Sequence, residues 1–411
     1  MIINNNINRL LRQQYSSLLS RLFVNNDGAS RRRSLSSTTS KSGLHVHSPL
    51  SQSDIDHFDK YGYLVKPALL DGDNNKELMN AHQKELRTYL TKNANVDFGS
   101  TSVGSPDEAA LLATQENKMA AVSNGFGGMI NYYHGNAMYK IRQHPALYHS
   151  FVQLYRSTYS TGLAYPESEW PNEYGYFNPA HMFMFINRCG FRIPTPMTPY
   201  SNSQATVQKG TGVHLDCNPY QLFRGQRLSS DHQKIENVPL RFWQPIQAFV
   251  ALSDTLNEGE GGFWCVPSFH KQCVNYFKQV EQPVSNASQY VTLKRGNAFD
   301  LHNEIAAHNQ VIRQLVHIPV RRGDIVFWDW RLPHCNDAVH HGEVVREVVY
   351  AAHLPAVSVN NLYARKQIDW FNTGVHPSYV SKQFATLEMN EYRRPDIDNP
   401  LGRKLLGIES W

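Results

Sequence analysis

The stretch Gly323–Arg346, GDIVFWDWRLPHCNDAVHHGEVVR, decides how the chain is to be read. Asp324–Trp328 is a strand-length apolar run, and a second run, Val344–Ala352, begins before the stretch ends. Pro333, Asn336-Asp337 and Gly342 lie between them, where turn residues belong. Nothing here recurs at helical spacing, so the stretch predicts two strands joined by a turn-rich connection. Between the runs stands His334, and Arg346 lies inside the second.

Working outward, further strand candidates appear at His181–Asn187, Val207–Asp216, Ile246–Leu252, Phe263–Val266, Tyr290–Leu293 and Leu315–Val320. Gly, Pro and Asn/Asp clusters separate them. Eight strand candidates without interleaved helices predict a sandwich or jelly roll and not a parallel sheet. The first part of the body leans helical. Ile55, Phe58 and Tyr61 follow a capping-box-like Ser53-Asp54, and Gly62 closes that segment. Residues 74–90 and 146–156 repeat apolar positions at helical spacing. The segment 360–411 is polar with two aromatic patches and reads as a C-terminal extension wrapping the body.

The chain has 411 residues, 41% hydrophobic and 18% charged, enough for a sizeable core. No apolar run approaches the roughly 18–20 residues that a spanning helix needs. The net charge of +5 is unevenly placed. Of 40 basic and 35 acidic residues, residues 1–50 hold seven and one, so the remainder carries 33 and 34, a net of −1. A neutral body offers no footprint for a phosphate backbone, which argues against nucleic acid as partner.

The first fifty residues are rich in Arg and Ser, with Leu10, Leu11, Leu18, Leu19, Leu22 and Phe23 at helical spacing. That composition predicts a mitochondrial transit peptide. The bland reading is a low-complexity extension, which would leave the protein cytoplasmic. Residues 51–411 are then one domain. Five cysteines (189, 217, 265, 273, 335) form no CxxC pair, which argues against a zinc knuckle or disulfide framework.

The search for chemistry starts from His-x-Asp/Glu, because on a strand residues i and i+2 share a face and can reach one ion. By composition about one or two such tripeptides are expected by chance. Four occur: His57/Asp59, His214/Asp216, His302/Glu304 and His341/Glu343. His57/Asp59 lies in a predicted helix and His302/Glu304 in a loop or helical turn. His341/Glu343 leaves too little chain behind it for a third ligand. His214/Asp216 follows the turn Lys209–Gly212 and leaves chain enough to return a distal histidine, for which His334 is the candidate. Such a set would leave three positions open on the ion. Arg346, twelve residues later, could grip a carboxylate through two charge-assisted hydrogen bonds. Any one of these residues alone is more simply a core residue. Trp243, Trp264, Trp328 and Trp330 read as core, and Cys217 and Cys335 as packing residues.

At this point the residues match a family. The chain resembles the phytanoyl-CoA dioxygenase-like family of Fe(II)/2-oxoglutarate oxygenases over most of residues 53–355. The resemblance rests on Asp56–Leu70, Met184–Arg188, Gly212–Asp216, Ala248–Lys271 (AFVALSDTLNEGEGGFWCVPSFHK) and Gly323–Arg346. It implies an α+β fold built on a double-stranded β-helix (jelly roll, cupin-like), with N-terminal helices packed on the barrel. It implies His214, Asp216 and His334 as ligands of Fe(2+), and Arg346 on the distal carboxylate of 2-oxoglutarate. Met184 and Phe249 match positions lining the co-substrate pocket. The implied activity is O2-dependent hydroxylation of a small-molecule or lipid/acyl-type substrate, releasing succinate and CO2. Asp216 and His334 are 118 residues apart, the surplus lying in 220–241 and 275–313. A catalytically silent cupin-like metal-binding scaffold is the rival reading.

Overall fold

The computed structural model describes residues 48–67, 73–123, 125–161, 177–195, 208–219, 242–280, 291–293, 303–377, 392–397 and 399–411. The leader therefore lies outside the described residues, as do His302 and the insertion 220–241.

The body opens as the sequence predicts. Helix α1, Gln52–Tyr61, starts at a capping box, but one formed by Ser51 with Asp54. Gly62 ends it at φ 76°, where a Cβ would stand 2.5 Å from the His270 ring. That positive φ turns the chain directly into β1, Tyr63–Lys66. The long helix Asp73–Ala94 and the helix Pro145–Ser157 follow.

The strands among the described residues form three separate sheets. The first, six-stranded, runs β1-β10-β6-β12-β4-β2. It comprises Tyr63–Lys66 (β1), Ile325–Asp329 (β10), Ile246–Ala251 (β6), Arg346–Tyr350 (β12), Cys189–Arg192 (β4) and Met129–Ile130 (β2). The second, five-stranded, runs β8-β5-β11-β7-β9. Its members are Val291–Thr292 (β8), His214–Leu215 (β5), His334–Asn336 (β11), Phe263–Cys265 (β7) and Val316–Ile318 (β9). A two-stranded sheet pairs Met182–Met184 (β3) with His353–Pro355 (β13).

The expected jelly roll is therefore corrected. The fold is α+β, but among the described residues its sheets are not closed into a barrel. Closure needs the edge strands of one sheet to pair with those of the other. Here the first sheet ends at β1 and β2, the second at β8 and β9. Strand content was readable from apolar runs; pairing partners were not. The expectation of uninterleaved strands also fails, because the helices Cys273–Gln279 and Asn303–Ile312 lie among them.

Pleating divides the first sheet into two faces. Residues directly opposite one another share a face, which places Phe249, Trp328, Arg346 and Arg192 on the inner one. The inner face meets the second sheet through Phe263, whose ring lies 5.9 Å from Phe249 and 5.2 Å from Trp328. The outer face carries Phe327 and Glu347 toward the helices. Phe151 of the helix Pro145–Ser157 meets Phe327 edge-on at 5.3 Å. Arg87 of the long helix reaches Glu347 at 2.7 Å and Glu108 at 2.5 Å, with both carboxylates 1% exposed. The C-terminal segment is helical over Ser358–Thr373 and Pro400–Leu406, and Trp411 donates its indole N–H to the Met182 carbonyl.

Candidate metal centre

His214 and His334 are direct partners in the register between β5 and β11. Their rings are 4.4 Å apart between centroids. Strand β5 holds only His214 and Leu215, so Asp216 follows in the turn, where its N–H donates to the Trp330 carbonyl. His214 Nε2 lies 3.7 Å from Asp216 Oδ1, and His334 Nε2 lies 3.2 Å from Oδ2. One ligand atom from each residue lies within 4.8 Å of the other two. Among the described residues this is the one group of three or more His, Cys, Asp or Glu side chains with that convergence.

The outward nitrogens of both rings are occupied. His214 Nδ1 faces the Gly212 carbonyl at 2.7 Å, and His334 Nδ1 faces the Leu332 carbonyl at 2.9 Å. A carbonyl oxygen only accepts, so both Nδ1 atoms carry the proton, and both Nε2 lone pairs point at the common centre. Trp328 donates its indole N–H to Asp216 Oδ2 at 3.2 Å. Two imidazole nitrogens and a hydrogen-bonded carboxylate are the donor set of a mononuclear non-haem iron site.

Electrostatics keeps the carboxylate ionised and disfavours charge on His214, and it makes His334 the more basic ring. Burial alone would raise the Asp216 carboxyl. The charge and hydrogen bond of His334, with His214 and Trp328, overcome this and hold it at about 2. Burial, then the neighbouring His334, brings His214 down to about 4. Burial opposes protonation of His334, but Asp216 and the Leu332 carbonyl outweigh it and its pKa is raised. Asp216 and His214 keep 24% and 19% of their side-chain surface exposed, against 7% for His334, so the centre opens on their side.

Arg346 begins β12, buried at 2% exposure, and its Nη1 has no hydrogen-bond partner. Its guanidinium lies 5.5 Å from the Phe249 ring centroid. Phe249 neighbours Phe263 and Trp328, and both of these rings flank His334, at 5.7 and 5.4 Å. The arginine and the triad thus share one interior, joined by aromatic rings. Met184 lies on β3, opposite His353. The other arginine near the distal histidine, Arg331, is committed to Asp329 by hydrogen bonds of 2.7 and 2.6 Å. Lys366 is exposed on the helix Ser358–Thr373.

Of the rival motif pairs, His57 and Asp59 lie in helix α1, and His341 with Glu343 sits outside any strand. Cys217 is buried, its thiol facing the Trp330 carbonyl, and burial pushes its pKa well up, as for an inert packing residue. The sequence reading missed Trp328 as a partner of Asp216, having placed it in the core. It is 5% exposed, and only its indole N–H distinguishes it from a core residue. No helix among the described residues is long and apolar enough to cross a membrane.

The family model that matches the chain is Gig2-like, over residues 215–407, which includes Asp216, His334 and Arg346. Among solved structures, a hypothetical protein from Escherichia coli aligns at 18% identity, covering 87% of this chain and 82% of its own, with a TM-score of 0.58. GlcNAc Inducible Gene 2 from Candida albicans aligns at 16% identity, covering 88% and 77%, with a TM-score of 0.57. A search of curated proteins finds no match. At these identities the likeness is one of fold, shared along most of each chain.

Proposed function

We propose that the protein is an Fe(II)- and 2-oxoglutarate-dependent dioxygenase that hydroxylates a small-molecule or lipid/acyl-type substrate, releasing succinate and CO2. The observation that carries this reading is the convergence of His214 Nε2, His334 Nε2 and the Asp216 carboxylate, with both Nδ1 atoms held by backbone carbonyls. Iron in that position would couple decarboxylation of the 2-oxo acid to O2-dependent oxidation of a substrate carbon.

The chain's own residues have distinct tasks. His214, Asp216 and His334 would hold the ion. Arg346, with Phe249 beneath its guanidinium, takes the distal carboxylate of 2-oxoglutarate, for which its unpartnered Nη1 is available. Phe249, Phe263 and Trp328 keep water from the interval between arginine and metal. Met184, buried on β3, lines the co-substrate pocket together with Phe249.

The test is a titration of the anaerobic Fe(II) protein with 2-oxoglutarate, followed by the visible band of the chelate. A charge-assisted hydrogen bond contributes roughly 1.5–3 kcal/mol. Arg346→Gln should therefore weaken 2-oxoglutarate by about ten- to a hundredfold, with iron binding intact. Arg346→Lys should recover part, having the charge without the planar fork. Absence of any 2-oxoglutarate binding or turnover by the iron-loaded protein would leave a metal-binding scaffold instead.

A further inference from the structure

Arg346 is not alone on its face of the sheet. In the register between β12 and β4 it stands directly opposite Arg192. Directly opposed residues project on the same side with Cβ atoms roughly 4.5–5.5 Å apart, and like charges so placed repel. Both side chains are 2% exposed, so water does little to relieve the repulsion.

The carboxylates of Asp337 and Glu116 offset Arg192 only in part and from a distance. Among the described residues neither guanidinium forms an ion pair. Arg192 donates from Nη1 and Nη2 to the carbonyls of Asp337 and Ala338, at 2.6 and 3.1 Å. The Asp337 carboxylate is already used by the N–H groups of Gly259 and Gly262 and the indole of Trp264. Glu116 accepts from the Gln208 N–H. His340, beside both arginines, is held neutral: burial, then Arg192, brings it down to about 4. Burial and then Arg346 pull Arg192 itself down to about 10.

Space is also kept beside Arg346. A Cβ at Gly190 would stand 2.7 Å from Val348 and 3.7 Å from Arg346 Nη1. One at Gly261 would meet the His340 ring at 3.1 Å and Arg346 Cδ at 3.5 Å. Two buried, opposed cations, neither in a direct ion pair, with an unpartnered Nη1 between small residues describe a site awaiting an anion.

We infer that the pocket for the distal carboxylate is dicationic. Arg346 contacts the carboxylate, and Arg192, fixed by two backbone carbonyls, acts as a positioning residue that adds its charge without direct contact. This deepens the proposed function and rests on it: the anion is the distal carboxylate of the 2-oxo acid. A pocket with two fixed cations selects more strongly against 2-oxo acids lacking that group than one arginine would.

The experiment compares 2-oxoglutarate with 2-oxovalerate, which has the same 2-oxo acid head and no distal carboxylate, on the anaerobic Fe(II) protein. Arg192→Gln should weaken 2-oxoglutarate about tenfold or more, the scale of one charge acting within a partly screened interior, and leave 2-oxovalerate within about twofold. Arg192→Lys should restore most of the loss. An unchanged 2-oxoglutarate affinity in Arg192→Gln, or an equal loss for both ligands, would overturn the inference. A second measurement leaves Arg192 intact: Arg346→Gln should still prefer 2-oxoglutarate over 2-oxovalerate by about tenfold, and equal affinities would overturn the inference even if Arg192→Gln does not fold. Failure of the unaltered protein to bind 2-oxoglutarate would overturn the parent reading and this one together. Normal binding by the unaltered protein, lost preference in Arg346→Gln and an unaffected Arg192→Gln would overturn this one alone.

Discussion

Trp328 donates its indole N–H to Oδ2 of Asp216, the same carboxylate oxygen that faces His334 Nε2. The indole therefore fixes which lone pairs of Oδ2 remain for a metal. Trp328→Phe keeps the ring's packing against Phe249 and Phe263 and removes the donor. Partners of metal ligands are worth roughly 10- to 100-fold in metal affinity. Trp328→Phe should weaken Fe(II) by about tenfold with little change in thermal stability, measured by competition with a chelator. Asp216→Ala should abolish stoichiometric binding while the fold persists.

Asp329 and Arg331 form a buried ion pair behind the triad, with the Tyr159 hydroxyl donating to Asp329 Oδ2 at 2.7 Å. Removing one partner of such a pair strands a charge and costs about 3–5 kcal/mol. Arg331→Met should lower the unfolding free energy by that order. The double replacement Asp329→Asn, Arg331→Met should cost less than the two single changes combined. Additive losses in denaturant titrations would show that the two residues do not act as a pair.

Acid should destabilise the metal-free protein through its buried histidines. Burial brings His82 down to about 3, helped by the charges of Arg142 and Arg87, and His353 down to about 4. Unfolded, both titrate near 6.5. Above that pH both states are neutral and the histidines make no difference. As pH falls from 6.5 toward 4 the unfolded chain takes up protons that the folded chain refuses, so stability falls. Each such histidine contributes a slope of about 1.4 kcal/mol per pH unit. Neither ring nitrogen of His82 has a hydrogen-bond partner. His82→Leu should flatten the slope by about one proton without lowering stability at pH 7.

Arg87 clamps the outer face of β12 through Glu347 and simultaneously binds Glu108. Arg87→Met would leave two buried carboxylates unpaired. It should cost about 3–5 kcal/mol. Because Glu347 adjoins Arg346 in sequence, the same variant should loosen 2-oxoglutarate more than it loosens iron, which isothermal titration of each would resolve.

Residues 1–45 are proposed to direct the chain to mitochondria. Fused to a fluorescent reporter they should deliver it there, and a diffuse signal would favour the low-complexity reading.

Much of this was legible in the sequence. Each of the eight anticipated strand segments overlaps a strand, because apolar runs bounded by turn residues survive into structure. The segments Cys189–Arg192, His334–Asn336 and His353–Pro355 were not anticipated as strands. They are three or four residues long and rich in His, Cys and Arg, so neither length nor alternation marks them. His214, Asp216 and His334 were found from order along the chain, and the structure brings the three together. The opposition of Arg192 to Arg346 was invisible, because register between strands 154 residues apart has no local signature. Sheet closure was misjudged for the same reason.

The acceptors that set the two imidazoles are the main-chain carbonyls of Gly212 and Leu332, each two residues before its histidine. A side-chain partner such as an aspartate can be deleted by one codon change; a peptide carbonyl cannot. The tautomer of both rings is therefore insulated from point substitution at the partner position. What could disturb it is a change in local chain path, at the glycines of Lys209–Gly212 or at Pro333. Such a lesion would tilt a ring without removing any donor atom, and would yield a protein that retains its three ligands yet holds metal poorly.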